Sequence, residues 1–173
     1  MQRKIQSFIL SLTLITFSFA NGADKPLKAL LVTGEGYHDY TAQKKIISEG
    51  ISKRMNVDWT IMHHKNPAQC KADLSKKGWA DGYDVVLYNI CHAREADSKF
   101  IDSVAAVHRA GKPAIALHCT MHSFHWDVKA KDGDQSDKTW VKFLGVRSRN
   151  HGPKAPITVK ALKKDHPVLK GIP

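Results

Sequence analysis

Cysteine is scarce in this chain of 173 residues, and so are the patterns in which cysteines usually act together. The three cysteines, Cys70, Cys91 and Cys119, are an odd number and form no Cys-x-x-Cys pair. At most one internal disulfide can form, so the chain is not a disulfide-stapled scaffold and its fold must depend on a hydrophobic core. Cys91 and Cys119 are predicted to follow neighbouring strands, and we expect them as two thiols rather than as a bridge.

Acidic residues are also few: 16 Asp and Glu stand against 27 Lys and Arg, which gives a formal net charge of +11. The basic residues are scattered in short pairs. A nucleic-acid-binding protein more often carries one basic stripe interleaved with aromatic residues. Scattered bases indicate a solvated surface, and we therefore expect no nucleic-acid partner.

Long hydrophobic runs are scarce, and the longest, from Phe8 to Phe19, follows two basic residues and carries no charge. It is too short to span a bilayer comfortably, and it ends in small residues at positions 18 and 20, where a signal peptidase reads the chain. The pattern predicts a signal peptide over residues 1–20, cleaved after Ala20. The protein is then periplasmic or secreted, without a stable membrane anchor, and residues 24–173 form one domain.

Short apolar runs recur at regular intervals and predict four strands. They are Ala29–Val32, Val57–Ile61, Val85–Tyr88 and Ala114–Leu117. Three of them are continuously apolar, which is typical of parallel strands covered on both faces by helices. The second alternates between apolar and polar residues, which suits an edge strand.

Helical periodicity lies between the strands, most clearly from Ser98 to Ala110 and also from Thr41 to Met55. Alternating strands and helices predict an α/β fold of the flavodoxin-like kind, an open, mostly parallel sheet with helices on both faces. The segment from Asp127 to Asp137 is predicted as a loop, and Ile157–Val159 as a short later strand. Ligands of such sheets bind outside the carboxyl ends of the strands.

Histidines are concentrated at those predicted strand ends. His38 follows the first strand, and His118, His122 and His125 follow the fourth. If a helix begins at His118, the last three share one stripe and would hold a divalent metal such as zinc. The alternative is that they hydrogen-bond backbone at a crowded turn. The isolated histidines are interpreted as surface or packing residues: His63, His64 and His108.

A nucleophile elbow at Cys119 is a further alternative, because a thiol or hydroxyl at a strained strand-to-helix turn can act as a nucleophile. Such a turn needs small neighbours two positions away, whereas Cys119 has Leu117 and Met121 there. The residue at the strand tip is expected to be His118. A cysteine-dependent hydrolase or amidotransferase is therefore the less favoured reading.

Several blocks resemble a known family in their order along the chain. They are Lys28–Tyr40, Tyr83–His118, Phe143–Val146, Ser148–Gly152 and Asp165–Gly171. This set is similar to ThuA-like (trehalose utilisation) domains. The resemblance implies a class I glutamine amidotransferase-like fold in which His118 replaces the catalytic cysteine, and it associates the chain with trehalose or keto-sugar metabolism. Such domains continue past the last block, so we expect a domain that is incomplete at its C-terminus.

The resemblance also indicates which residues carry function. His38, His118 and His151 match the family's histidines and are the candidate catalytic residues, which we expect in one cleft. The candidate ligand-binding residues follow instead from their positions near the predicted strand ends, and they are Glu35, Tyr37, Asn89, His92 and Trp126. The expected function is action on carbohydrate by histidine acid–base or metal chemistry. The alternative is a non-catalytic sugar-binding module that uses the aromatic residues near the same edge.

Overall fold

The computed structural model describes residues 25–34, 36–124, 136–146, 148, 152–153, 155–163 and 165–170. The predicted signal peptide lies outside this part of the chain. Four candidate site residues do so as well: Glu35, His125, Trp126 and His151. Among the helices that are described, none is both long and apolar enough to cross a membrane.

Four strands form one sheet in which every pairing is parallel: β1 (Leu27–Gly34), β2 (Val57–His64), β3 (Val85–Ile90) and β4 (Ala114–Ala116). Their order is β2-β1-β3-β4. The predicted α/β, flavodoxin-like open sheet is therefore confirmed, and β2 lies at an edge as its alternation indicated. At the carboxyl end of β1, Gly34 is in register with His64 on one side and Ile90 on the other.

Four α-helices accompany the sheet: α1 (Tyr40–Ser52), α2 (Pro67–Leu74), α3 (Ser98–Arg109) and α4 (Ser136–Leu144). Two short 3-10 helices span His118–His122 and Pro167–Leu169. The α3 helix agrees with the predicted range. At its start, the Asp97 carboxylate accepts hydrogen bonds from the amides of Lys99 and Phe100. Gly111, with φ +105°, follows its end.

Three predictions of secondary structure differ from the fold. The helix expected from Thr41 to Met55 ends at Ser52. Neither α2 nor α4 was expected, and the first two residues of α4 fall where a loop was predicted. Ile157–Val159 is not a strand: the side chains at its two ends are 87% and 88% exposed, and no described strand pairs with it. A short apolar run needs a partner strand to satisfy its backbone.

The two faces of the sheet are covered differently. On one, here called the α3 face, side chains from alternate positions of β1 and β3 pack against α2, α3 and α4; examples are Leu30, Tyr88, Ile101 and Trp140. The opposite face, the α1 face, is covered by α1, whose first residue Tyr40 packs with the cysteines that follow β3 and β4. Ile115 of β4 stays 48% exposed. The α1 face is thus the more open one.

Candidate functional site

Histidine and cysteine side chains gather in two clusters at the carboxyl ends of the strands. The α1-face cluster consists of His38, His118 and Cys119. The α3-face cluster consists of three residues from β2, α2 and the segment after β3: His64, Cys70 and His92. In each cluster, the three atoms able to bind a metal lie within 4.8 Å of one another. The strand-end rule thus locates both clusters at the same edge of the sheet.

His118 occupies the tip of β4, as the sequence predicted. The strand ends at Ala116, and the Leu117 amide still donates to the Tyr88 carbonyl at 2.9 Å. His118 then has φ +31°, a conformation in which a non-glycine residue is strained by about 1–3 kcal/mol. Strain of this kind is retained where the surrounding structure imposes it, typically at functional turns.

The turn that carries His118 is held by buried hydrogen bonds to β3. The Thr120 hydroxyl donates to the Tyr88 carbonyl at 3.0 Å, and the Ser123 hydroxyl donates to the Ile90 carbonyl at 3.3 Å. From α4, the indole of Trp140 donates to the Thr120 carbonyl at 3.2 Å. These bonds link the turn to the most buried strand of the sheet, so the position of the His118 side chain is set by the core.

His38 reaches the same place from the loop after β1. Its Nε2 lies 2.9 Å from the Cys119 sulfur, and its ring meets the His118 ring nearly edge-on, with centroids 5.1 Å apart. The loop passes close to β3, because a Cβ on Gly36 would be only 2.8 Å from the Cys91 Cβ. The structure therefore brings two of the three candidate catalytic histidines together, while His151 lies outside the described residues.

Cys119 is 1% exposed, and it lies against Tyr40 and Cys91. Burial raises the pKa of its thiol, although hydrogen bonds from Cys91 and Tyr40 oppose this effect. The thiol is therefore protonated at neutral pH, and its contact with Nε2 of His38 holds the His38 ring in place. All three cysteines are thiols, as expected. A buried, protonated thiol is a poor nucleophile.

A hollow of about 310 Å³ opens beside His118. Asn89 and Gln43 line it, and the Asn89 amide donates to the Gln43 carbonyl oxygen at 2.9 Å. Asn89, a candidate ligand-binding residue, is thus adjacent to His118. Tyr37, another candidate, is 76% exposed and lines a second hollow together with Gly36 and His92.

His122 does not join His118 on one stripe. The spacing argument required an α-helix, whereas the segment is a 3-10 helix, in which residues four apart point about 120° away from each other. The His122 side chain is buried, and its Nδ1 lies 3.0 Å from the Ser148 carbonyl. The alternative of a histidine bonded to backbone at a crowded turn is therefore the one observed for His122, and His125 lies outside the described residues.

The other histidines divide into two kinds. His63 and His108 are packing residues, bonded to Lys44 and to the Tyr88 hydroxyl respectively. His64 and His92 were not expected together, because their proximity depends on β2 and β3 lying on either side of β1. Burial lowers the pKa of His92 to about 4, and the nearby His64 adds to this shift, so its ring is neutral at pH 7.

The α2 helix was not predicted from the sequence, and it brings Cys70 next to His64 and His92. Its start has a sequence signal that could have been used: Asn66 caps the helix by accepting from the Gln69 amide, and Pro67 occupies the first turn.

Comparison of the chain with protein-family models, curated proteins and solved structures found no significant match. Function is therefore inferred from the geometry of the two clusters.

Proposed function

We propose that this chain is an exported ThuA-like protein that binds a carbohydrate of the trehalose or keto-sugar kind and moves a proton on it with His118. The observation that supports this is the edge-on contact of His38 and His118 at the strained tip of β4, beside an open hollow. Imidazole is suited to the task, because its ordinary pKa lies close to neutral pH.

The roles of the two histidines differ because their surroundings differ. Nε2 of His38 is occupied by the Cys119 thiol, so His38 is a positioning residue whose ring packs nearly perpendicular to that of His118. His118 lines the hollow and is the proton acceptor. Next to a keto group, a C–H bond breaks, the proton goes to the His118 ring, and the electron pair moves to the carbonyl oxygen as an enolate. Return of a proton from the His118 ring to the same carbon, after the ring has exchanged with solvent, completes a proton exchange.

The alternatives receive less support. A sugar-binding module would present aromatic platforms, but Tyr40 and Phe124 are 4% and 0% exposed, and among the described candidates Tyr37 alone is open. A cysteine-dependent hydrolase would need an accessible thiolate, whereas the Cys119 thiol is buried and has a raised pKa. The polar amides of Gln43 and Asn89 in the hollow suit hydroxyl groups of a sugar.

A divalent ion held by the α1-face cluster is a second candidate, favoured by the mutual distances of its three ligand atoms. Two imidazoles and a thiolate suit zinc, which would polarise a keto oxygen as a Lewis acid. Binding would displace the Cys119 proton. Elemental analysis of the chain purified without chelator tests this: we expect a Cys119→Ser variant to hold less zinc than the wild type.

The proton-transfer proposal is tested by following a keto-sugar in D₂O by ¹H NMR. The wild-type chain should exchange the proton next to the keto group, and His118→Gln should slow this by about 10²- to 10⁴-fold. His166→Gln is the matched control, since His166 is an exposed histidine outside both clusters, just before the 3-10 helix Pro167–Leu169. Its exchange rate should equal that of the wild type.

Saturation-transfer NMR with the same sugars separates binding from chemistry. Binding without exchange would overturn the proton-transfer role and favour the binding module. The absence of both binding and exchange across trehalose and keto-sugars would overturn the carbohydrate proposal.

A further inference from the structure

The α3-face cluster takes no part in the proposed reaction, yet its chemistry is distinctive. His64 is 3% exposed, Cys70 is 1% exposed and His92 is 1% exposed. Two imidazoles and a thiol are thus enclosed together, with their ligand atoms within 4.8 Å of one another. Burying an imidazole such as that of His64 is costly unless both ring nitrogens have partners.

The hydrogen bonding of His64 shows which of its two ring nitrogens carries the proton. The Asp73 carboxylate lies 3.1 Å from Nε2 of His64. The Lys76 ammonium lies 2.6 Å from the other oxygen of the same carboxylate, which is ionised at neutral pH and can only accept. Nε2 must therefore carry the proton, and Nδ1 has a lone pair. This Nδ1 is fully buried and has no hydrogen-bond partner among the described residues.

With Nε2 donating to a carboxylate and Nδ1 left with a lone pair, His64 has the hydrogen bonding of a metal-ligating histidine. Ligating histidines usually donate their other N–H to a carboxylate, which fixes the tautomer and makes the coordinating nitrogen more basic. Asp73 and Nε2 of His64 have this relation, and the nitrogen left over is Nδ1. The cluster therefore has an outer carboxylate as well as three ligands.

We propose that His64, Cys70 and His92 bind a zinc-class divalent ion, with Asp73 as the positioning residue behind His64. One thiolate and two imidazoles are the ligand set of such an ion, and three protein ligands leave a fourth position for water or an external ligand. The ion joins β2, α2 and the segment after β3. This matters for β2, an edge strand in which only His64 is buried.

One member of the cluster, His92, also borders a hollow at the surface. A hollow of about 140 Å³ is lined by His92 and by Pro67, the first residue of the helix that carries Cys70. Arg94 lies at the same hollow. A metal site requires an entry path, and this hollow lies beside one of the three ligands.

Cobalt(II) titration of the metal-free chain tests the proposal, because a thiolate bound to cobalt gives a charge-transfer absorption. The wild type should show this band. In Cys119→Ser, which removes the thiol of the α1-face cluster, the band that remains belongs to Cys70, and the double variant Cys70→Ser/Cys119→Ser should lose it. Zinc should raise the melting temperature of Cys119→Ser but not of the double variant.

A gentler variant covers the case in which Cys70→Ser does not fold. Asp73→Asn should weaken zinc binding by about 10- to 100-fold without changing the number of ions bound at saturation. Asp102→Asn, which removes an exposed carboxylate paired with Arg109, should bind like the wild type. No charge-transfer band in the wild type would overturn the proposal. A band lost in Cys119→Ser and kept in Cys70→Ser would do so too, because the ion would then be in the α1-face cluster.

Discussion

The two clusters contain the same kinds of side chain at the same edge of one sheet, yet their surroundings differ. The α1-face cluster lies beside an open hollow and on a strained backbone, with its thiol already bonded to His38. The α3-face cluster is enclosed beneath α2 and has a carboxylate behind one histidine. Residue type is therefore insufficient to assign a role: exposure makes the first cluster suited to a substrate and the second suited to an ion.

The largest expected effect comes from Gly34, at the carboxyl end of β1 between β2 and β3. Its φ is +130°, and a Cβ added there would overlap the backbone carbonyl of His64. Gly34→Ala should therefore cost about 3 kcal/mol or more of unfolding free energy and weaken metal binding at the α3-face cluster. Urea unfolding measures this change.

The matched control is Gly50→Ala, at a helical position in α1 with open space around the added Cβ. It should stabilise the chain by about 0.5–1 kcal/mol. Equal stabilities for the two alanine variants would mean that the ends of β1 and β2 are not packed as closely as described.

Thr120→Val should have an intermediate effect and act on one cluster alone. The substitution keeps the shape of the side chain but removes the hydroxyl that donates to the Tyr88 carbonyl. The Tyr88 carbonyl keeps the Leu117 amide as a donor, so losing this one hydrogen bond should cost about 0.5–1.5 kcal/mol. The turn at His118 should loosen, so keto-sugar exchange should slow while the cobalt band of Cys70 is unchanged. Loss of the cobalt band instead would show that the two clusters are not independent.

The smallest expected effect concerns His108, a histidine with both ring nitrogens bonded. Burial raises the pKa of Tyr88 well above its usual value, so its hydroxyl keeps its proton and donates to Nε2 of His108 at 2.7 Å. Nδ1 lies 2.8 Å from the Lys112 carbonyl and donates to it. Unlike His64, this ring needs no ion to complete its bonding.

Burial of the ring lowers the pKa of His108 below its ordinary value of 6.5, although the bond to Lys112 partly offsets this. Below about pH 6.5, His108 binds a proton more readily in the unfolded chain than in the folded one. The free energy of unfolding therefore decreases as the pH falls below 6.5. Above that pH, His108 is neutral in both states and has no such effect. His108→Gln should flatten the decline in melting temperature below pH 6.5. An unchanged slope in that variant would contradict the shift.

The parts of this fold that depend on local pattern were predictable. Continuous apolar runs predicted β1, β3 and β4, alternation predicted the edge position of β2, and helical periodicity predicted α3. The α2 helix was missed because just two of its eight residues are buried, Cys70 and Leu74, so it has little apolar periodicity. His118 was expected at the strand tip because the end of a strand is a local property.

The amino-acid sequence by itself determined the class of fold and the edge of the sheet where polar side chains gather, because both follow from the order and period of short segments. It did not determine which side chains meet. His38 and Cys119 are 81 positions apart, and the α3-face cluster joins β2, α2 and the segment after β3. Those contacts were decided by the tertiary structure, since consecutive strand residues point to opposite faces and only the strand order, register and covering helices bring distant positions to the same side.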